Sequence, residues 1–290
     1  MPFQPISKSL HIDKQPIKVH AISVGEVAVK ERFRSPHKHS FWAEQFTLFS
    51  RKFTEWMPIW VWVIEHPEGI YVLDSGEIAA VNHPDYFKSS GRYEHWYNRS
   101  QFKFKITREE EIDAQLQKLG IETDAVKQVL LSHMHLDHCD GLCHFPNTEI
   151  LVHDLEWEKP YGSLPKLYPD WLSPTLVHLN EPYGPFDKTL AITQDKKLRM
   201  IHTPGHTWGH CSFLLEVDEG TIFFAMDVCY HQAQLLENQF AGGSASLSEA
   251  AISYQRIKAL AKQAAIVFLP AHDSASGARL LCMETLKIID

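Results

Sequence analysis

The segment His133-Met134-His135-Leu136-Asp137-His138 puts four metal-ligating side chains into six residues. In an extended or looped backbone, residues two apart project to the same side, so His133 and His135 can grip one cation together. Asp137 and His138 point elsewhere and can serve a second. Three later residues complete the pattern. His206 follows Thr203-Pro204-Gly205, where Pro and Gly force a tight backbone approach. Asp227 closes the apolar run Thr221–Met226, and an acid there needs a positive partner. His272 follows another apolar run. The spacing therefore suggests two divalent cations. His133, His135 and His206 would hold the first, and Asp137, His138 and His272 the second, with Asp227 bridging. Imidazole and carboxylate suit zinc first, with iron, manganese or cobalt as alternatives. Such a pair generates a nucleophile from water and polarises a carbonyl, which is hydrolytic chemistry.

The elements that must position these groups are strands. Val19–Val29 reads as a first strand with a turn in it. Ile59–Glu65 and Ile70–Leu73 flank a turn at His66-Pro67-Glu68-Gly69 and read as a hairpin ending at Asp74-Ser75-Gly76. Thr107-Arg108-Glu109-Glu110 has the form of a capping box, predicting a helix through Leu119 with Gly120 as its stop. Val126–Ser132 is a strand running into the His cluster, and Glu149–Val152 a short one after it. Leu198–Thr203 leads to His206. Cys211–Val217 and Thr221–Met226 form a hairpin ending at Asp227. Ser248–Ala264 is a helix offering Ile252, Ile257 and Leu260 to a core, and Ile266–Leu269 a last strand before His272. Each candidate ligand group thus follows a strand, and strand ends on a rigid sheet hold side chains accurately. Residues 30–56 and 77–105 lack clear periodicity and read as insertions forming a lid or pocket on a single domain, 1–290.

Composition bounds the rest. The chain has 290 residues, 44% hydrophobic and 22% charged, which suffices for a large core. A net charge of -8 argues against a nucleic-acid partner. The longest apolar run, Met57–Ile64, is too short to span a membrane, and the first residues lack a secretory apolar core. The five cysteines contain no Cys-x-x-Cys pair, and a reduced cytoplasmic setting is the simplest reading. With 18 histidines, some must be bystanders. His37 and His39 share a His-x-His spacing but lack an adjacent acid and strand. His202, His210 and the remaining isolated histidines are assigned no role. Phe41, Trp42, Phe46, Phe49, Phe53 and Trp56 could line an apolar groove, although such a stripe more often packs in a core or a dimer contact.

Taken together, SHMHLDHCDG, TPGHTWGH, Asp227 and His272 resemble the metallo-β-lactamase superfamily, from Val19 to the C-terminus. The resemblance implies an α/β fold, a four-layer αββα sandwich with a dinuclear site at one edge between the sheets. Asp74-Ser75-Gly76 is similar to a structural turn of that family, and Gly141 and Gly205 match as backbone positions. Asp137 resembles the hydrolytic branches, His135 disfavours the redox diiron branch, and Asp227 disfavours true β-lactamases. Tyr230, three residues after Asp227, is similar to a substrate-binding Tyr of the N-acyl-homoserine lactonases. That resemblance implies that a metal-bridged hydroxide opens an acylated lactone. Tyr230 would stabilise the oxyanion and Asp137 would move a proton, in a homodimer acting on a small molecule, with neither nucleic acid nor membrane as partner. The alternatives are another hydrolase of the same fold, acting on phosphodiesters, organophosphates or thioesters, and a catalytically silent binding protein. Degenerate members usually lose ligands, and here all seven are present.

Overall fold

The computed structural model describes residues 4–34 and 51–288. Among these residues, fourteen strands build two sheets. The first contains β1 (Ile6–Ile12), β2 (Gln15–Val29), β3 (Met57–His66), β4 (Gly69–Leu73), β5 (Phe102–Lys105), β6 (Val126–Leu130), β7 (Glu149–His153) and β8 (Thr175–Val177). Its order is β1-β2-β3-β4-β6-β7-β8, with β5 paired to the far end of β2. The second contains β9 (Glu181–Tyr183), β10 (Phe186–Ala191), β11 (Leu198–His202), β12 (Cys211–Val217), β13 (Gly220–Met226) and β14 (Ile266–Pro270), in the order β14-β13-β12-β11-β10-β9.

The burial of β3 shows why its sequence is apolar throughout. Trp60, Trp62 and Ile64 face the second sheet, where they join Phe213, Phe224 and Leu269. Ile59, Val61 and Val63 face the other way, onto Ile112, Leu116 and Phe87. A strand covered on both faces has no polar side, so its period of two is hidden in an unbroken apolar run. The second sheet repeats this: Phe224 and Met226 point inward, while Phe223 and Phe268 pack outward with Tyr254, Ile257 and Leu260 of the helix Leu247–Gln263. Helices and loops, two sheets and a helix thus form the four layers of an αββα sandwich. Each large side chain fully buried between them contributes about 1.5–3 kcal/mol.

Several elements differ from expectation. The Thr107 box is real, with Glu110 returning to the Thr107 N–H at 2.8 Å, but it closes only a 3-10 turn. Glu111 is extended, and the helix starts again at Ile112 and ends at Lys118. The Glu111 carboxylate receives the Ala79 N–H at 3.1 Å and His144 at 2.7 Å, tertiary bonds that outcompete helix continuation. On the long helix, Ile252 is 42% exposed, and Ala250 and Tyr254 take the buried stripe with Ile257 and Leu260. Residues 77–105 carry two 3-10 turns, a helix at Arg92–Gln101 and strand β5. His37, His39, Phe41, Trp42, Phe46 and Phe49 lie outside the described residues. No helix among the described residues is long and apolar enough to cross a membrane.

Candidate metal centre

Strands β4 and β6 run parallel, as do β13 and β14. β11 is antiparallel to β12, and β12 to β13, so β11 runs with β13. The C-terminal ends of these strands therefore gather at one edge of the sandwich. They deliver Asp74 after β4, His133–His138 after β6, His206 after β11, Asp227 after β13 and His272 after β14. All seven residues singled out by spacing meet there.

Six of these residues form two sets, each able to hold a cation. His133, His135 and His206 present one nitrogen each to a common point, as do Asp137, His138 and His272 with one atom each. In the first set, His133 Nε2 lies 3.0 Å and His206 Nε2 2.9 Å from His135 Nδ1. Nitrogens about 2.05 Å from a cation stand roughly 2.9 Å apart at a right angle and 3.3 Å apart at the tetrahedral angle. Asp227 lies between the sets. Its Oδ2 is 3.4 Å from His206 Nε2, and its Oδ1 is 3.4 Å from both His138 Nε2 and His272 Nε2. Asp137 Oδ2 is 3.4 Å from His272 Nε2.

Four of the five histidines have their other ring nitrogen held from behind, whereas His206 Nδ1 is buried without a hydrogen-bond partner. His138 donates through Nδ1 to Asp74 at 2.6 Å, and Asp74 also accepts the Ser132 N–H and hydroxyl, both at 2.7 Å. His133 Nδ1 bonds Ser132 Oγ at 2.9 Å. His135 Nε2 donates to the Tyr161 carbonyl at 2.9 Å, and His272 Nδ1 to that of Pro58 at 2.9 Å. These bonds fix each tautomer and turn a lone pair inward, the arrangement expected behind metal-ligating histidines.

Electrostatics separate the two sets. Burial and the neighbouring imidazoles push His133 and His206 well below the usual histidine range, so both rings stay neutral. Burial also disfavours charge on His138 and on Asp227. Even so, Asp227, Asp137 and Asp74 hold His138 well above its ordinary value, while His272 and His138 hold Asp227 well below. This set demands positive charge. Its buried His138 Nε2 and Asp227 Oδ1 have no hydrogen-bond partner, although unpaired buried polar atoms are costly. A divalent cation satisfies both atoms, and the donor set is compatible with a dinuclear divalent site.

The centre forms the floor of a cavity of about 640 Å³. Val27, Val29, Met57, Phe87, Phe102 and Phe104 make much of its wall, so the apolar lining comes largely from β2 and residues 77–105. Tyr230 lies at the centre, its ring edge-on to His272 at 5.5 Å and to His206 at 6.3 Å. Burial and the Asp227 and Asp137 carboxylates push its phenol well above the ordinary range, so it remains an O–H donor.

Residues without an assigned role in the spacing argument also contribute. His210 Nε2 accepts the Asp227 N–H at 3.1 Å, while its Nδ1 meets Thr203 at 3.0 Å. The available signal was its place four residues after His206, immediately before a buried strand. Glu156, in the short helix Asp154–Glu158, is buried against both ligand loops. Gly205 adopts φ +141°, and a Cβ there would lie 2.5 Å from Ala250 Cα in the first turn of the long helix. Ser246 N–H to Gly205 O (3.0 Å) and Ser253 Oγ to Pro204 O (2.7 Å) fasten this loop to the same helix. Gly205→Ala is expected to cost about 3 kcal/mol, combining strain and overpacking. That corresponds to a melting-point drop of about 6 °C, measurable by thermal denaturation.

Residues 54–259 match the metallo-β-lactamase superfamily. An N-acyl homoserine lactonase of a Bacillus species is 30% identical over 223 residues, spanning 75% of this chain and 82% of that protein. The N-acyl homoserine lactonase AttM of Azorhizobium caulinodans is 28% identical over 232 residues, with the same coverage. Among solved structures, an N-acyl homoserine lactone hydrolase with N-hexanoyl-L-homoserine at its catalytic metal centre superposes with a TM-score of 0.72. It shares 20% identity, over 92% of this chain and 98% of that one. A hydrolase of the β-lactamase superfamily, AbOPH, superposes at 0.60 with 16% identity, over 94% and 91%. The chain belongs to the metallo-β-lactamase superfamily and, within it, to the family of the N-acyl homoserine lactonases.

Proposed function

We propose that this protein is a two-metal hydrolase that opens the ring of N-acyl homoserine lactones. The observation that carries the reading is the meeting of two ligand sets on Asp227 beneath an apolar cavity, with a neutral phenol beside them. The names of the relatives support the substrate class. His133, His135 and His206 would hold one cation and Asp137, His138 and His272 the other, with Asp227 placed to serve both. Zinc is the first candidate ion, and loading with iron, manganese or cobalt distinguishes the others. Divalent cations at these residues would supply Lewis acidity and make water more acidic at the site.

The chain's own residues do the rest. The apolar wall takes the acyl chain and excludes bulk water, which strengthens every polar contact inside. Tyr230 donates its O–H to the lactone carbonyl oxygen as negative charge builds there. The Asp137 side chain is 19% exposed, and its carboxylate can take a proton from the attacking water and return it to the ring oxygen as that bond breaks. The product is the open N-acyl homoserine.

The test is a substrate panel with metal-loaded protein: acyl-homoserine lactones of several chain lengths, a thioester, a phosphodiester, an organophosphate and a β-lactam. Ring opening of the lactones is expected to be fastest. Phosphodiester hydrolysis with no lactone opened overturns the reading. A cytoplasmic homodimer belongs to the same proposal, and light scattering on the purified chain tests the dimer.

A further inference from the structure

The three-histidine set draws its ligands from two sheets. His133 and His135 follow β6 of the first, and His206 follows β11 of the second. Something must hold these loops in register, because a cation that bridges them must find its ligands already close. The backbones meet where Cys211 N–H donates to Ser132 O at 2.9 Å, but that bond precedes one loop and follows the other.

Glu156 meets both loops at the ligands themselves. Its Oε1 accepts the N–H of Met134, between His133 and His135, at 3.0 Å. Its Oε2 accepts the hydroxyl of Thr207, next to His206, at 2.5 Å, and the N–H of Gly209 at 3.1 Å. Only 1% of the residue is exposed. All these partners are donors, so the ionised carboxylate fits and a neutral amide does not. A Cβ on Gly209 would come within 2.2 Å of the Glu156 backbone nitrogen, so only glycine lets the 207–209 segment lie flat against this helix. The helix is anchored in turn, since His153 at the end of β7 caps it by accepting the Leu155 N–H at 3.1 Å.

We propose that Glu156 is the positioning residue of the three-histidine metal site, a buried carboxylate that locks the His133–His135 loop to the His206 loop and so sets affinity for one of the two cations. None of its hydrogen bonds reaches Asp137, His138 or His272. The inference rests on the two-metal reading but not on the identity of the substrate. Partners behind metal ligands typically govern affinity by about 10–100-fold.

The experiment titrates metal-loaded protein with a graded chelator and counts ions per chain, with cobalt substitution to read each site's visible spectrum. In Glu156→Gln, one ion is expected to leave at about 10–100-fold weaker affinity, with loss of the three-nitrogen spectrum, while the second ion is held as in the wild type. Glu156→Asp recovers the ionised carboxylate and is expected to recover part of that affinity. Thr207→Val removes one donor without touching the carboxylate and is expected to weaken the same ion by less than Glu156→Gln. It also serves if the Glu156 variants fail to fold. Glu158→Gln, exposed two residues away, is expected to change neither ion. Equal weakening of both ions, or unchanged affinity in Glu156→Gln and Thr207→Val, overturns the proposal. A wild-type chain with fewer than two ions overturns it together with the two-metal reading, whereas failure on lactones with the ion partition intact overturns only the substrate.

Discussion

Asp227→Asn is expected to leave no more than one tightly held ion per chain and to cut lactone opening by about 10³-fold. Asp227 offers an oxygen to each ligand set, with 3.4 Å to His206 on one side and 3.4 Å to His138 and His272 on the other. The amide keeps the shape but removes the charge and leaves one oxygen. It also places an N–H₂ where a cation or an imidazole lone pair must face. Metal-ion catalysis supplies several kcal/mol of charge stabilisation, and each 1.36 kcal/mol is tenfold in rate. Elemental analysis and kcat on the same preparation check the two parts together. Two ions retained with wild-type turnover would remove Asp227 from the shared position.

The second large effect is at Tyr230. Tyr230→Phe is expected to lower kcat by about 10²-fold while metal content and KM change little, since a donor aimed at developing charge acts in the transition state rather than on the bound substrate. Loss of the hydroxyl leaves the ring packing on His272 and His206 in place, so the ligands should not move. The backbone N–H of Tyr230, bonded to Gln234 Oε1 at 2.8 Å, is untouched as well. Steady-state kinetics across lactones of different acyl length, with ion counts, separate this outcome from a structural one. Unchanged kinetics would take Tyr230 out of the reaction.

Asp227 could be found in the sequence because the chemistry there is local, whereas Tyr230 rested on its resemblance to a residue of the N-acyl-homoserine lactonases. Four ligands within His133–His138 need no knowledge of the fold, and Asp227 and His272 stand out as polar residues ending apolar runs. Strands β3, β6, β13 and β14 were legible for the same reason: a buried strand needs several consecutive β-prone side chains, and those lie side by side. β1, β5, β8 and β9 were not. They are edge or short strands that take stability from pairing rather than from their own side chains, and their residues carry a weak pattern.

The site's supporting residues depended on tertiary structure in the same way. Glu156 and Glu158 look alike in Asp154-Leu155-Glu156-Trp157-Glu158, yet one is buried against three donors and the other is exposed. His210 looked like one more isolated histidine until β12 and β13 set it against the Asp227 backbone. Glu111 interrupted a predicted helix because its partners lie at Ala79 and His144. The sequence by itself determined which side chains can bind metal and that strands carry them. Only the folded chain decided which carboxylate braces which ligand, because burial and hydrogen-bond partners are set by segments far apart in the chain.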